Sequence, residues 1–256
     1  MEIDLARLKA GQQNRAAALR SDHTSKQRTE PSLWQYDYLT LRTLAADIAM
    51  LLDEARRELD TTRTRAIDIG CNTSPYREQL EGLGFDVQTM DLDLSTGADL
   101  AGRVESTGLP DASTDLLLCT QVLEHCSEPW KAAPELFRVL KPGGVLVASV
   151  PHVWFYHPHP DDNWRYTPEG ISRLLDSAGF ETKKILLQGG SVMSLFQIIN
   201  FCLFGMLGRA GSPMFGCMNI LGSTLDRLFP NPLFPINVAI MVRKPSVESR
   251  DGPVVF

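Results

Sequence analysis

Paired cysteines and clusters of basic residues are both missing from this sequence. Its 256 residues include five cysteines, an odd number, and none shows the paired spacing of a structural zinc site. Unpaired cysteines predict reduced thiols and a cytoplasmic protein, as does a polar N-terminal stretch without the apolar core of a secretory signal. The formal net charge of −6 and the lack of a basic run argue against a nucleic-acid partner.

Glycine-rich phosphate loops are missing as well. The apolar segment Arg65–Ile69 predicts a strand, and the turn after it contains one glycine, Gly70, where a dinucleotide-binding fold has three. No Gly-Lys-Ser/Thr sequence follows, so the turn is not an ATP-type phosphate loop. The turn therefore favours a nucleotide-like ligand without phosphates, and it argues against a nicotinamide dehydrogenase.

Short apolar runs and helical repeats alternate along the chain, which predicts an α/β fold with a mostly parallel sheet covered on both faces. The predicted strands are 65–69, 87–90, 115–120, 144–150, 181–188 and 237–244. The predicted helices are 32–60, 75–83, 128–140 and 167–178, of which the third is closed by the sequence KPGG and the fourth by Gly179.

The chain divides into an N-terminal helical extension, residues 1–60, and a main domain, residues 61–256. Residues 1–30 are polar and are expected to be partly disordered. The aromatic cluster of Trp34, Tyr36 and Tyr38 has two interpretations: it packs in the core, or it belongs to a lid over the ligand.

An apolar helical hairpin is predicted within residues 190–235, before the last strand. Its two stretches, Ser191–Leu207 and Pro213–Phe229, are separated by a glycine-containing loop. Seventeen helical residues span about 25 Å, less than the ~30 Å of a bilayer core, so a membrane span is not expected. A lid, plain core packing, a homodimer interface and a peripheral membrane contact through 190–230 all stay open.

The ends of the first two strands contain the candidate ligand-binding residues. Gly70 permits close approach of a ligand to the backbone, and Asn72 tolerates the left-handed conformation where a second glycine is expected. Asp91 ends the second strand about twenty residues later, where a carboxylate accepts hydrogen bonds from ribose hydroxyls. A solvated cap is the alternative for Asp91, and a helix-capping carboxylate is the alternative for Asp68.

Through these residues the chain resembles the class I S-adenosylmethionine-dependent methyltransferases, in particular their type 11-like subgroup. The resemblance runs from about Arg65 to Phe180, and its most specific parts are "LEH" after the fourth strand and "RVLKPGG" before the fifth. It implies a Rossmann-like, doubly wound sheet whose last strand is antiparallel, with S-adenosyl-L-methionine as cofactor. The cofactor-binding residues that it implies are Asp68 (ammonium), Gly70, Cys71, Asn72, Asp91 (ribose), Leu92, Glu105 (adenine amino group) and Gln121.

A second block, Pro151–Gly170, follows the fifth strand and is rich in histidine, aspartate and aromatic residues. It resembles methyltransferases associated with saccharide and cell-surface polymer pathways. We interpret His157 as a general base oriented by Asp162, and His125, Trp164 and Arg165 as substrate-binding residues. A structured loop in which Arg165 pairs with Asp161 or Asp162 is the competing interpretation. The histidines and aspartates of this block lack the spacing of a metal site, and no metal is expected.

Together these features predict a methyltransferase that acts on a hydroxyl of a small-molecule or saccharide-like acceptor. The alternative is a partner subunit that binds S-adenosylmethionine without turnover. Such a subunit needs no general base, so the loop histidine favours the enzyme.

Overall fold

The computed structural model describes residues 4–20, 24–60, 64–158 and 161–246. The helices are α1 (Leu5–Arg20), α2 (Ser25–Thr29), α3 (Tyr38–Glu58), α4 (Arg77–Gly82), α5 (Pro129–Val139), α6 (Pro168–Asp176), α7 (Ser191–Leu207) and α8 (Ser212–Leu228). The strands are β1 (Thr64–Ile69), β2 (Phe85–Asp91), β3 (Leu100–Ala101), β4 (Thr114–Thr120), β5 (Leu140–Pro151), β6 (Glu181–Gln188) and β7 (Asn237–Arg243). Single 3-10 turns lie at Leu94–Thr96 and Gly208–Gly211.

The seven strands form one sheet in the order β3-β2-β1-β4-β5-β7-β6. The pairs from β3 to β5 are parallel, and β7 runs antiparallel to both of its neighbours. The predicted Rossmann-like sheet with an antiparallel last strand is therefore confirmed. Because β1, β2, β4 and β5 are parallel, the loops that follow them meet at one edge of the sheet.

Helices cover both faces of the sheet, which explains why the central strands are apolar along their whole length. On one face, α5 and α6 pack on Ile67, Leu117 and Cys119. On the other face, α3 and α4 pack on Leu116 and Leu118, whose side chains point the opposite way because side chains alternate along a strand. Two hydrophobic clusters thus hold the sheet rigid beneath the loops at its carboxyl edge.

Two predicted element boundaries are wrong. The long helix begins at Tyr38, because residues 32–37 form turns whose carbonyls accept hydrogen bonds from the hairpin. The fifth strand begins at Leu140, which pairs with Thr114, and the ladder then shifts register so that Leu116 pairs with Val145. The KPGG sequence therefore forms an irregularity within a strand and not a separate loop.

The N-terminal region contains more order than its polar composition predicts. Residues Leu5–Arg20 and Ser25–Thr29 are helical. The second of these helices begins with a capping box, in which Thr24 and Gln27 each satisfy the other's backbone N–H. The expectation of partial disorder is wrong for these two segments.

The apolar hairpin is present as predicted, with α7 and α8 joined by a 3-10 turn. By length and composition alone, residues 191–228 are long and apolar enough to cross a membrane, since an 18-residue stretch within them has a mean hydropathy of 1.7. The turn at Gly208–Gly211 divides that segment into two shorter helices.

Candidate cofactor and acceptor site

The turn after β1 has a backbone that only glycine fits well. Gly70 has a φ of +71°, and its N–H and that of Cys71 donate to the Met90 carbonyl at 2.8 and 3.2 Å. A Cβ atom at this position would lie 2.3 Å from Cγ2 of Val122, just after β4. Both the left-handed backbone and the packing therefore require glycine. The result is a narrow turn where β1, β2 and β4 end side by side.

Asn72 and Asp91 are linked by a hydrogen bond across this turn. Asn72 has a φ of +47°, which confirms that it takes the left-handed conformation expected in place of a second glycine. Its N–H donates to Asp91 Oδ2 at 2.8 Å, and the Asp93 N–H donates to Asp91 Oδ1 at 3.1 Å. Two backbone donors fix this carboxylate, and each oxygen keeps a lone pair for a ligand hydroxyl.

Asp68, the second-last residue of β1, is fully buried. Neither of its carboxylate oxygens has a hydrogen-bond partner among the described residues. Burial and, to a smaller extent, the nearby charge of Asp91 raise the pKa of Asp68 to about 8, against the opposing effect of Arg77. The carboxylate does not cap a helix, so that alternative is wrong. A buried carboxyl without a partner suits a ligand that brings a positive charge.

The other predicted cofactor residues surround the same turn. Leu92 follows β2 and is half-exposed, whereas Cys71 is buried and its pKa is raised to about 11, mainly by burial. Glu105 lies 3.7 Å from Arg103 and is largely buried. Gln121 has a φ of +55°, and its side-chain amide donates to the Ser149 hydroxyl of β5 at 3.2 Å. The Gln121 side chain is thus held toward β5.

Asp162 and Arg165 form the centre of the loop that follows β5. Two guanidinium N–H groups donate to the two carboxylate oxygens at 2.6 and 2.7 Å. Burial raises the pKa of Asp162, but the hydrogen bonds from Arg165 and His157 outweigh it and hold the pKa well below its usual range. Arg165 also donates to the carbonyls of Phe155 and Trp164 at 2.7 and 2.8 Å. The structured-loop interpretation therefore fits Arg165, because its guanidinium N–H groups donate to residues within the loop.

His157 is held by the same network. The backbone N–H of His157 donates to Asp162 Oδ2 at 2.8 Å. The ring atom Nδ1 lies 3.0 Å from the Phe155 carbonyl and 3.2 Å from Asp162 Oδ2. A carbonyl oxygen can only accept, so Nδ1 carries the proton. The 3.4 Å approach of Arg165 to Nδ1 is then not a hydrogen bond, because both groups are donors. This tautomer leaves Nε2 as the basic nitrogen.

Glu124 is a site residue to which the sequence analysis assigned no role. It is fully buried, and neither carboxylate oxygen has a hydrogen-bond partner among the described residues. Burial raises its pKa to about 8. Its Oε1 lies 3.7 Å from His125 Nε2, and the His125 and His157 rings are 5.1 Å apart, edge to face. The signal was its position inside the "LEH" motif directly after β4.

Ligand atoms of Glu124, His125 and His157 all lie within 4.8 Å of one another. A carboxyl and two imidazoles at this spacing suit either proton transfer or the binding of a divalent cation. His159, another histidine of the Pro151–Gly170 block, lies outside the described residues.

Trp164 is tied to this cluster through its backbone N–H, which donates to the Glu124 carbonyl at 3.1 Å. Its indole N–H donates to the Cys126 carbonyl at 2.8 Å, and its ring meets Trp130 edge to face at 5.9 Å. The position of the indole is therefore fixed, while part of the ring stays exposed to a ligand.

The N-terminal helices contact both halves of the site. Lys9 of α1 forms an ion pair with Asp161 in the loop after β5. The Ser25 hydroxyl of α2 donates to the Thr73 carbonyl in the glycine turn. The N-terminal helices thus contact both the turn after β1 and the loop after β5.

Comparison with known proteins identifies the central segment. Residues 67–148 match the methyltransferase domain family. A Mycolicibacterium smegmatis protein named a probable S-adenosylmethionine-dependent methyltransferase is 37% identical over 91 residues, 33% of this chain and 35% of that protein. The malonyl-[acyl-carrier protein] O-methyltransferase of Serratia marcescens is 32% identical over 93 residues, 32% and 36% of the two chains. The chain spans about a third of the length of these relatives.

Among solved structures, the phosphoethanolamine N-methyltransferase 2 of Haemonchus contortus, in complex with S-adenosyl-L-methionine, matches with a TM-score of 0.52. The match covers 86% of this chain and 59% of that one at 12% identity, so it supports the fold alone.

The matched segment contains the features that a phosphate-free, cationic nucleoside requires. Asp68 is a buried carboxyl with no hydrogen-bond partner among the described residues, Gly70 keeps the turn narrow against Val122, and Asp91 is fixed by two backbone donors with lone pairs available. These residues fit S-adenosyl-L-methionine, which combines an ammonium, a sulfonium and a ribose. Residues 67–148 therefore match the methyltransferase domain family, and S-adenosyl-L-methionine is the cofactor that this segment fits.

Proposed function

We propose that the protein transfers a methyl group from S-adenosyl-L-methionine to a hydroxyl of a small-molecule or saccharide-like acceptor. The observation that carries the proposal is the tautomer of His157, whose Nδ1 is engaged by the Phe155 carbonyl and Asp162. A histidine fixed in this way presents a basic Nε2, which is what a hydroxyl acceptor requires. It follows β5, next to the strands whose ends form the cofactor turn.

The cofactor would be held by Asp68 at its ammonium, by the backbone around Gly70, by Asp91 at the ribose and by Glu105 at the adenine amino group. When bound, it supplies a methyl group made electrophilic by the sulfonium. The protein's own contribution at this half of the site is alignment, since displacement at carbon needs the acceptor oxygen in line with the breaking bond.

On the acceptor side, His157 Nε2 takes the proton of the hydroxyl as the oxygen becomes nucleophilic. The imidazolium that results is stabilised by the Asp162 carboxylate, 3.2 Å from Nδ1. Arg165 keeps Asp162 ionised and in place through its paired hydrogen bonds. In this arrangement Asp162 and Arg165 are positioning residues, and His157 is the group that touches the acceptor.

Two features favour an oxygen acceptor with a ring or sugar. The Serratia relative is named an O-methyltransferase, which is consistent with an oxygen nucleophile in this family. The fixed, partly exposed Trp164 ring offers a face on which a sugar or another ring can stack.

A binding subunit without turnover is the competing function. A fully buried carboxyl beside two partly buried histidines costs folding free energy relative to apolar residues, and binding of a ligand alone gives no reason to keep such a cluster beside the acceptor loop. The cluster of Glu124, His125 and His157 therefore supports turnover.

The test is substitution of His157, with His152 as a matched control in the same loop. His152 also contacts a backbone carbonyl through Nδ1, that of Tyr166 at 2.8 Å. Hydroxylated acceptors are screened by mass spectrometry for the gain of one methyl group. We expect H157A to lower turnover by at least about a hundredfold, because general-base catalysis contributes about 10²–10⁴ in rate.

In the same assay, H152A keeps most of its turnover, and both variants bind S-adenosylhomocysteine like the wild type. Asp162→Asn loses less turnover than H157A. If H157A retains most of its turnover, the base assignment is wrong and proximity alone or His125 carries the reaction.

A further inference from the structure

In the hairpin Ser191–Leu228, buried polar side chains face the protein and apolar side chains face outward, which is the reverse of a helix on a water-facing surface. The polar side chains of α7 that are buried point toward the protein: Ser194, Gln197 and Asn200. Gln197 donates to the Tyr36 carbonyl at 2.9 Å, and Asn200 donates to Asn219 of α8 at 2.8 Å. The opposite face of α7 is apolar and exposed, at Leu195 (55%), Ile198 (48%) and Met206 (79%).

The second helix continues this exposed apolar face. The large apolar residues of α8 that are exposed are Met214, Ile220, Leu221 and Leu228, while its inner face is formed by Phe215, Gly216, Asn219 and Gly222. Beyond α8, the exposed apolar surface includes Phe229, Leu233 and Phe234. Between residues 185 and 225 the sequence contains one charged residue, Arg209.

The inner face of the hairpin is already occupied by the protein. Asn219 donates to the carbonyls of Leu33 and Gln35 at 2.7 and 2.9 Å, and the Phe201 ring stacks on Phe155 of the acceptor loop at 3.7 Å. Only 17% of the apolar 18-residue stretch within the hairpin is buried. The outer face is therefore neither a core surface nor the side that closes over the acceptor loop.

We propose that the outer face of this hairpin rests in one leaflet of a lipid bilayer, with both helices lying along the membrane surface. The helices are too short to span the hydrocarbon, at about 25 Å each. A protein partner would meet a polar rim, because protein interfaces are apolar at their centre and polar at their edge. Here exposed apolar side chains continue beyond α8 at Phe229, Leu233 and Phe234, and Trp34, which is exposed and packs next to Gly216, is an aromatic residue of the kind found at membrane interfaces.

The charge of the protein determines how this contact forms. The chain carries a formal charge of −6, and the hairpin holds few basic residues, so attraction to anionic lipids contributes little. Insertion of apolar side chains into the acyl boundary supplies the affinity. Binding to neutral vesicles should then persist at high salt, unlike binding through a basic patch.

The test is flotation of the whole protein with neutral phosphatidylcholine vesicles in about 0.5 M sodium chloride. Ile198→Glu places a charge on the outer face, and Met50→Glu is the matched control on α3, since the two side chains are 48% and 47% exposed. We expect wild type and M50E to bind equally and I198E to bind at least about tenfold more weakly. Adding Leu221→Glu to I198E should weaken binding by about a hundredfold in total.

Binding of S-adenosylhomocysteine, unchanged in every variant, reports that each one is folded. The proposal is overturned if the wild type does not float with vesicles, or if I198E and M50E bind equally. A wild-type mass of two chains in light scattering without lipid, reduced to one chain in I198E, would assign the face to a second copy and also overturn it. None of these outcomes depends on methyl transfer, so the proposed function stands or falls separately.

Discussion

The proposed contact between Asp68 and the cofactor ammonium predicts how cofactor affinity depends on pH. In the unliganded protein, burial raises the pKa of Asp68 to about 8, so the carboxyl is mostly protonated at neutral pH. The cofactor ammonium favours the ionised form, and binding therefore releases a proton from Asp68. Because the bound state holds fewer protons than the free state, affinity rises as pH rises, up to the pKa of the free carboxyl.

The size of the effect follows from the ionised fraction of Asp68. With a pKa of about 8, about 1% of the carboxyl is ionised at pH 6 and about 10% at pH 7. The cofactor's α-amino group, with a usual pKa of about 7.7–8.0, stays largely protonated over this interval. Affinity should rise almost tenfold from about pH 6 to pH 7, which corresponds to about 1.4 kcal/mol.

Calorimetric titration with S-adenosylhomocysteine between about pH 6 and 7, in buffers with different heats of ionisation, measures both the slope and the proton release. Asp68→Asn should bind more weakly and with no slope. Glu124→Gln is the matched control, because Glu124 has a pKa of about 8 in the same protein but lies on the acceptor side. A flat wild-type profile, or a slope that disappears in E124Q and persists in D68N, would refute the reasoning.

Two further predictions concern the acceptor side. Arg165→Ala leaves the buried Asp162 carboxylate without its main partner, and thermal denaturation should show a loss of about 3–5 kcal/mol in the free energy of unfolding. The double variant R165A/D162N should recover part of that loss. An unchanged melting temperature in R165A would contradict the role of the pair. Chelation with EDTA should leave turnover within about twofold, because the general-base mechanism uses no metal. A loss that is restored by a divalent cation would instead assign Glu124, His125 and His157 to a metal site.

Local patterns in the sequence predicted the sheet well, since buried parallel strands are apolar throughout and are separated by helices. They failed where distant contacts decide the structure. Residues 32–37 continue the helical repeat, but the carbonyls of Leu33 and Gln35 accept hydrogen bonds from Asn219, more than 180 positions away. Similarly, the KPGG sequence signals a break, yet Leu140 already pairs with Thr114 in the sheet.

In the candidate site, the sequence predicted which residues lie at the ends of the strands but not the states in which the structure shows them. Asp68 and Asp91 were both predicted as ligand-binding acids, whereas only the structure distinguishes a buried, unpartnered carboxyl from one fixed by two backbone donors. Arg165 was predicted to bind substrate, but in the structure its guanidinium donates hydrogen bonds to both carboxylate oxygens of Asp162. Glu124 was visible in the "LEH" motif, and its burial could not be read from a residue type that is usually exposed.

Titration of S-adenosylhomocysteine into the wild type, Asp91→Ala and Asp93→Ala tests the central claim most directly. Asp91 is the proposed acceptor for the ribose hydroxyls, and losing a charge-assisted hydrogen bond costs about 1.5–3 kcal/mol, or one to two decades in affinity. Asp93 caps the next turn through Ser95 and serves as the neighbouring control. We predict one ligand per chain in the wild type, binding weakened about 10- to 100-fold in D91A, and near-normal binding in D93A. No binding to the wild type, or equal affinity in D91A, would contradict the assignment of the cofactor to the carboxyl ends of β1 and β2.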